Sequence, residues 1–265
     1  ALSRVVGLAR EIIEAAVFGI QGSINAFTVA FQIPNLVRAL VADAALSGAF
    51  VPIFSGLLET DRKRAWRVAS TIFWLFCVGL GALVALLILI APLLIRPFGD
   101  PGGDLDLAVG LARVLFPIVW LLGLSGVVVG ILNAYDKFSL ASLTPVAWNL
   151  VIILGLVVGV PLAEGSRAEL YVYAASILVA TLVQFLMPLP ALRGLDGRIR
   201  PVIDWRDPEV KRFFVLMLPV TVTLGLINVS AVIGTFFASR YIDPELAPQA
   251  INKAFRLYML PQGVF

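Results

Sequence analysis

The chain has 265 residues, of which 60% are hydrophobic and 14% are charged, and its formal net charge is only +3. Soluble domains are about 45–50% apolar and about 25% charged, so this composition predicts a polytopic α-helical membrane protein. The sequence contains no histidine and one cysteine. These counts exclude imidazole catalysis, histidine metal sites and an internal disulfide.

Eight membrane segments are predicted from the hydrophobic pattern, because crossing about 30 Å of hydrocarbon takes about 20 apolar residues. The first two, at about 3–20 and 23–58, are polar enough to score poorly by hydropathy. The next five contain no Asp, Glu, Lys or Arg. They are 68–95, 114–135, 138–163, 170–192 and 213–239. The eighth begins near Pro248 and is cut off at the last residue, which indicates a fragment of a longer protein.

The basic residues of the loops predict the orientation of these segments. Loop 59–67 holds four Lys and Arg residues and loop 193–212 holds six, whereas loops 96–106, 163–169 and 240–246 hold one arginine each. Cytoplasmic loops of membrane proteins carry the excess of positive charge. The first two loops are therefore predicted to be cytoplasmic, and alternation places the N-terminus on the same side.

The longest connection predicts the division of the chain into domains. Residues 193–208 combine glycines, a proline and basic residues with apolar ones. We interpret them as a cytoplasmic basic linker, which either lies on the membrane surface as an amphipathic segment or is a solvated loop. Residues 1–192 then form a first six-helix lobe, and 209–265 begin a second lobe with helix seven and part of helix eight.

Charged residues follow one face of the first segment. At 100° per residue, Arg4, Arg10, Glu11 and Glu14 fall on a stripe about 120° wide. The stripe indicates that this face contacts something other than lipid.

The second segment carries a similar polar stripe with a proline in its middle. Pro34 interrupts the backbone hydrogen bonds, which is tolerated in a membrane where neighbours or water satisfy the freed groups. The stripe consists of Asn25, Gln32, Asn35, Arg38 and Asp43.

An ionisable side chain at the centre of a membrane costs about 2.5–3.5 kcal/mol on insertion scales, so these stripes need an explanation. One alternative is an internal salt-bridge cluster, such as Arg10 with Glu14 at i, i+4. Snorkelling to the interface is a second alternative for Arg4 and Asp43. The third is a water-filled cavity. Several arginines in one cavity favour an anionic and phosphorylated cargo, because guanidinium binds phosphate with two parallel hydrogen bonds.

The eighth segment repeats the pattern of the second. Asn252, Lys253 and Arg256 precede Pro261, so this helix is also polar early and interrupted by proline. Interrupted helices at corresponding places in two halves of a chain predict a transporter binding site between the halves.

Three stretches resemble the MurJ/MviN family of lipid II flippases, members of the multidrug/oligosaccharidyl-lipid/polysaccharide exporter superfamily. They are 3–19, the motif NAFTVAFQIPNLVRALVADAALSGAFVPIF at 25–54, and AFRLYMLPQGVF at 254–265. The resemblance implies an all-α, MATE-like transporter of fourteen helices in two lobes and two more, of which this chain holds about eight. It implies a bacterial plasma-membrane protein that is not an enzyme, with lipid II and membrane lipids as partners and no nucleic acid.

The resemblance also implies roles for particular residues. Arg4, Arg10, Arg38 and Arg256 match the arginines of the family's central cavity and are expected to engage a pyrophosphate. The helices that carry them would line and gate the cavity. The family commonly has aspartate where this chain has Asn25. No cofactor is implied, although a coupling ion or the membrane potential would supply a drive.

Three functions stay open at this stage. The first is flipping of lipid II to the outer leaflet by alternating access. The second is export of another polyprenyl-pyrophosphate-linked saccharide or, less consistent with the arginines, of a cationic drug. The third is a scaffold without transport, which the missing carboxylate at Asn25 favours.

Overall fold

The computed structural model describes residues 2–40 and 49–264. Within these ranges, the side chains of residues 2, 139–141, 224, 227 and 256–264 are not described. Asp43, which the sequence predicts on the polar stripe of the second segment, lies outside the described residues. All regular structure in the described part is helical.

Ten α-helices make up this part of the chain. They are α1 (Leu2–Phe18), α2 (Ile24–Arg38), α3 (Val51–Thr60), α4 (Arg62–Ile95), α5 (Leu105–Leu115), α6 (Pro117–Ala134), α7 (Phe138–Leu154), α8 (Ser166–Leu186), α9 (Pro208–Phe237) and α10 (Ala247–Val264). Turns of π-helix extend α7 over Gly155–Gly159 and α9 over Ala238–Ile242.

Five helical stretches in the described residues are long and apolar enough to cross a membrane. A lipid environment forces the backbone to satisfy its own hydrogen bonds, so such sequences become long helices. The stretches confirm the five charge-free segments predicted from the sequence. They are Arg62–Phe98, Leu105–Ala134, Ser142–Leu162, Ser166–Leu192 and Pro208–Ile242.

Aspartates fix the starts of α4 and α5. Asp61 accepts a hydrogen bond from the Arg64 backbone N–H at 3.0 Å. Asp104 accepts one from Leu107 N at 2.9 Å at the start of α5. An aspartate in this position satisfies a backbone donor that has no partner within the helix. The sharp boundaries between loops and spans follow from these caps.

The helices do not break at the two predicted prolines. Helix α2 continues through Pro34 to Arg38, and α10 continues through residue 261 to Val264. A proline removes one backbone donor and its ring crowds the carbonyl of residue i−4, which can bend a helix without ending it. The irregularity in this region comes after Pro34, as π-type turns at Ala39 and Leu40. Pro34 is therefore a buried position inside a continuous helix, which corrects the predicted break.

Loops that the sequence assigns to one side of the membrane meet in the structure. On the predicted cytoplasmic side, Arg64 of α4 forms a two-pronged pair with Asp207, with both N–O distances at 3.0 Å. On the predicted outer side, Gly102 N donates to Pro244 O at 2.9 Å. The grouping of the loops thus agrees with the alternation predicted from the positive charges.

The buried core divides between the two ends of the bundle. One cluster packs the outer halves of α2, α4, α7 and α8 around α5. The other packs α3 against the inner halves of α4 and α6 and the start of α9. A space that contains charged side chains lies beside these cores.

Candidate substrate cavity

A cavity of about 390 Å³ lies between α1, α2, α6, α7, α8 and α10. Its charged lining residues are Arg10 and Glu14 from α1 and Arg38 from α2. Glu14 is 5% exposed, so this part of the cavity wall lies inside the helix bundle. Four of the predicted site residues, these three and Asn35, line the cavity together.

The charges on α1 pair with a lysine of α10. Arg10 forms an ion pair with Glu11, and Lys253 Nζ lies 2.7 Å from Glu11 Oε2 and 3.2 Å from Glu14 Oε2. Two cations and two carboxylates balance each other in this cluster. Removing one partner of such a buried pair leaves an uncompensated charge, which costs about 3–5 kcal/mol. The predicted salt-bridge cluster and the predicted cavity are therefore both present, with Arg10 bonded to Glu11.

The net charge of the cavity wall comes from Arg38. Its Nε donates to Asn35 Oδ1 at 3.2 Å, which fixes the guanidinium against the cavity side of α2. Among the described side chains, two arginines and one glutamate line the cavity, so their formal charge sums to +1. This is a smaller positive charge than the number of arginines in the sequence predicts, because Glu14 of α1 faces the same space and Arg4 does not.

Gln249 joins three helices at one edge of the cavity. Its Nε2 donates to Glu14 Oε1 at 3.1 Å, and its Oε1 accepts from Thr28 Oγ1 at 2.6 Å. Its backbone N–H donates to Asn25 Oδ1 at 2.8 Å. The side chain is 2% exposed, and its amide has a partner on each side. Gln249 therefore ties α10 to both α1 and α2.

Asn25 does not line the cavity, contrary to prediction. It is fully buried, and its Nδ2 donates to the carbonyl oxygens of Ile20 and Gly22, each at 3.2 Å, and to that of Glu245. Three carbonyls from two backbone segments converge on one amide, which can donate where a carboxylate cannot. Asn25 thus connects the start of α2 to the turn before α10.

A further backbone contact closes the same end of the bundle. Gly22 N donates to Glu245 O at 2.9 Å. Gly102 has φ +67°, and a Cβ added there would lie 2.7 Å from Gly22 O. Only glycine fits at this close approach. The loops around residues 22, 102 and 245 are therefore held together at the predicted outer end of the bundle.

The remaining predicted site residues lie elsewhere. Arg4 is exposed on α1 and is not part of the cavity wall. Gln32 is buried in α2 and also lies outside the wall. The helical period places both on the predicted stripes, but the cavity faces only part of each stripe. The side chains of Arg256 and Pro261 fall outside the described part of the chain.

Several lining residues were missed by the sequence analysis. The guanidinium carbon of Arg10 lies 5.1 Å from the centroid of the Trp148 ring, a cation–π contact. Gln249 was missed although its signal was available, since it continues the polar face of α10 with Asn252 and Lys253 at i+3 and i+4. The aromatic lining of α7 and α8 gave no such signal, because apolar rings are ordinary in membrane helices.

Neutral amides give the cavity further hydrogen-bonding capacity. Asn149 donates to Pro145 O at 2.8 Å, and its Oδ1 is buried without a partner among the described residues. Gln184 and Asn252 also line the cavity. Amides bind hydroxyls and peptide groups in both donor and acceptor roles. In the described residues, no group of three or more Cys, Asp or Glu side chains is arranged to hold a metal ion.

Known proteins of similar sequence cover the whole of this chain. Lipid II flippase MurJ of Burkholderia cenocepacia is 33% identical over 99% of this chain and 52% of its own length. A probable lipid II flippase MurJ of Vibrio cholerae serotype O1 is 32% identical over 100% of this chain and 52% of its own. The chain therefore spans about half the length of these curated relatives.

Two solved structures have the same fold. A lipid II flippase MurJ in an inward closed conformation superposes with a TM-score of 0.79 at 24% identity, over 99% of this chain and 54% of that one. An inward-facing multidrug transporter of the MATE family gives 0.74 at 21% identity, over 97% and 58%. These matches confirm the all-helical, multi-pass transporter fold predicted from the sequence.

A family model described as lipid II flippase MurJ matches residues 14–265, nearly the entire chain. Its members are membrane transporters and not enzymes. Together with the relatives, this match establishes that the chain belongs to the MurJ family.

Proposed function

We propose that the protein flips lipid II from the cytoplasmic to the outer leaflet of the bacterial inner membrane, by alternating access through the cavity of α1, α2, α6, α7, α8 and α10. The similarity to proteins named lipid II flippase supports the cargo. No bond is broken in such a step. The protein supplies a polar path for the head group, while the lipid tail remains in the bilayer.

The observation that carries this proposal is Arg38 beside Asn35 on a cavity wall within apolar helices. A guanidinium remains charged there and matches the geometry of phosphate oxygens. The balanced cluster of Arg10, Glu11, Glu14 and Lys253 adds donors without adding net charge. The cavity therefore suits a phosphate-bearing anion flanked by neutral sugars and amides.

The same wall argues against a cationic drug as the cargo. Such a cargo favours carboxylates over arginines, and here two arginines accompany one glutamate. A different polyprenyl-pyrophosphate-linked saccharide satisfies the same chemistry, since Asn149, Gln184 and Asn252 suit the hydroxyls of many sugars. That substrate is the second candidate.

The closed outer end supports the alternating-access part of the proposal. Asn25, Gly22 and Gly102 hold the loops of the outer side by hydrogen bonds to backbone carbonyls. Few and local contacts of this kind can be exchanged for others when α10 moves relative to α2. The energy source for transport stays a prediction. It is either a coupling ion or the membrane potential, and a potential of 100 mV is worth about 2.3 kcal/mol per charge.

The experiment is complementation of bacteria depleted of their own lipid II flippase by the gene that encodes this chain. We expect wild type to restore growth and Arg38→Gln to reduce it strongly, because a neutral amide loses the charge and one arm of the phosphate contact. Arg113→Gln is the matched control, as Arg113 is an exposed arginine of α5 outside the cavity wall.

Each other outcome decides between the candidates. Growth with both variants alike would overturn the role of the cavity arginine. Failure of wild type, when the protein is present in the membrane, would reject lipid II as cargo and favour the other saccharide or a scaffold.

A further inference from the structure

A second cavity, of about 480 Å³, lies at the opposite end of the molecule from the closed outer loops. It is formed by the first two turns of α4 and by the linker that follows α8. Its floor contains Trp66 and Gly197, and a Cβ added to Gly197 would lie 2.2 Å from the Trp66 ring. The glycine therefore lets the linker lie directly on the indole. This cavity is separate from the proposed path of the cargo.

The lining of this second cavity is strongly basic. It contains five cationic side chains and one carboxylate, which gives a formal charge of +4. They are Arg62, Lys63, Arg67, Arg198, Arg200 and the single acid Asp196.

The single carboxylate is already engaged by neighbours. Asp196 forms an ion pair with Arg62, and its Oδ1 accepts hydrogen bonds from Tyr135 and from Trp66 Nε1, the latter at 3.3 Å. Lys63, Arg67, Arg198 and Arg200 have no ion-pair partner within 4 Å among the described residues. These four cations therefore line one space without a direct ion pair to a carboxylate of the described residues, and Asp207 acts on Arg67 only from a longer distance.

The linker holds these cations in place through its backbone. Arg200 N donates to Ser70 Oγ at 3.0 Å, and Asp204 N donates to Thr71 Oγ1 at 3.0 Å. Ser70 and Thr71 are buried on α4. The backbone of the linker is thus fixed against α4, which brings its exposed cations near those of α4 at a cost that an anion would offset.

The position of the cavity indicates that the anion comes from a membrane lipid. It adjoins the start of the long span Arg62–Phe98, at the predicted cytoplasmic surface. The next linker residues, Val202, Ile203 and Trp205, are apolar and 40%, 51% and 63% exposed. Tryptophan and exposed aliphatic side chains beside basic residues are typical of the membrane–water interface. In the predicted orientation, these features favour a position of the cavity at the level of the lipid head groups.

We propose that this cavity binds the phosphate of an anionic phospholipid of the cytoplasmic leaflet, through Arg67, Arg198 and Arg200, while Trp205 and Ile203 insert beside the acyl chains. Basic pockets at the cytoplasmic ends of membrane helices have the charge and the position for such head groups. The bound lipid would neutralise the cations that connect the linker to α4.

The test is native mass spectrometry of the purified protein in detergent, titrated with phosphatidylglycerol. We expect the double variant Arg67→Gln/Arg198→Gln to weaken the strongest-bound lipid by about 25-fold, because each basic residue at a membrane surface contributes about fivefold. Arg193→Gln is the matched control, since Arg193 is an exposed arginine of the same linker that does not line the cavity. The control variant should weaken the binding of phosphatidylglycerol by less than the fivefold expected for one lining residue.

Further measurements distinguish the phosphate of a lipid from a soluble phosphate. Phosphatidylcholine, which has a phosphate but no net charge, should bind weakly, and millimolar inorganic phosphate should fail to displace phosphatidylglycerol. Equal losses in the double variant and the control would mean unspecific attraction and overturn the proposal. Displacement by inorganic phosphate would also overturn it, in favour of a site for a soluble anion. Circular dichroism confirms that each variant retains its helices.

Discussion

At the scale of single residues, Asn25 connects the start of α2 to the turn before α10, a role that its sequence context does not suggest. Its amide faces three backbone carbonyls, so its structural role depends on donating hydrogen bonds and not on carrying a charge. Asn25→Asp keeps the shape but sets a carboxylate against those carbonyls. We expect it to lower the free energy of unfolding by at least the about 1–3 kcal/mol of an unsatisfied buried group, seen as a fall of several degrees in Tm.

Asn35 supplies the matched control for this substitution. Its Oδ1 already accepts a hydrogen bond from Arg38, so a carboxylate is favourable there. Asn35→Asp should therefore leave Tm nearly unchanged or raise it. An equal fall in both variants would mean that added negative charge, and not the lost donor, is the cause.

At the scale of elements, the attachment of the linker to α4 depends on two aspartates outside the membrane. Hydrogen bonds from Arg64, and to a smaller extent from the backbone N–H of Glu209, hold the pKa of Asp207 below its ordinary value. A bond from Tyr135 is the main cause that lowers the pKa of Asp196, and burial and this bond raise the pKa of Tyr135 to about 12. Both contacts therefore persist at neutral pH.

The lowered pKa of Asp207 predicts a loss of stability in acid. Its folded pKa lies below the unfolded value of about 3.9, so its contribution is complete above that pH and is lost as the pH falls through the folded value. We expect Asp207→Asn to lower Tm at pH 6, because asparagine still caps α9 but loses the ion pair with Arg64. The difference from wild type should vanish towards about pH 2. A difference that persists there would refute the ion pair as its cause.

The sequence was sufficient to predict those elements that are determined by the order of residues along the chain. The apolar runs predicted five spans, and the loop charges predicted which loops meet at each end. Which face of a polar stripe meets a partner was not predictable from one sequence. Arg10 and Arg4 share a stripe on α1, yet only Arg10 reaches the cavity, because α10 and α7 pack against part of that face. The role of Gln249 likewise depends on a contact 224 positions away along the chain, with Asn25.

At the scale of the whole molecule, the closed outer end and the charged cavity are connected through α10. Gln249 and Lys253 of α10 contact the cavity charges, and the turn before α10 contacts Asn25 and Gly22. A change in the charge cluster therefore reaches the outer loops through a single helix. Weakening the outer contacts should, by the same connection, open the cavity to the outer solution.

Gly102→Ala tests this connection, because the added methyl would lie 2.7 Å from Gly22 O and push the outer loops apart. With Cys77 replaced by alanine and cysteine placed at Asn35, we expect a membrane-impermeant maleimide to label the cavity from outside several-fold faster in this variant. Gly103→Ala is the matched control, since its backbone has a similar positive φ but its methyl would meet only Glu245 Oε1 at 3.6 Å. A cysteine at the exposed Glu164 should label equally in all backgrounds. Faster labelling with both glycine variants would mean that backbone strain, and not the contact with Gly22, governs the outer closure.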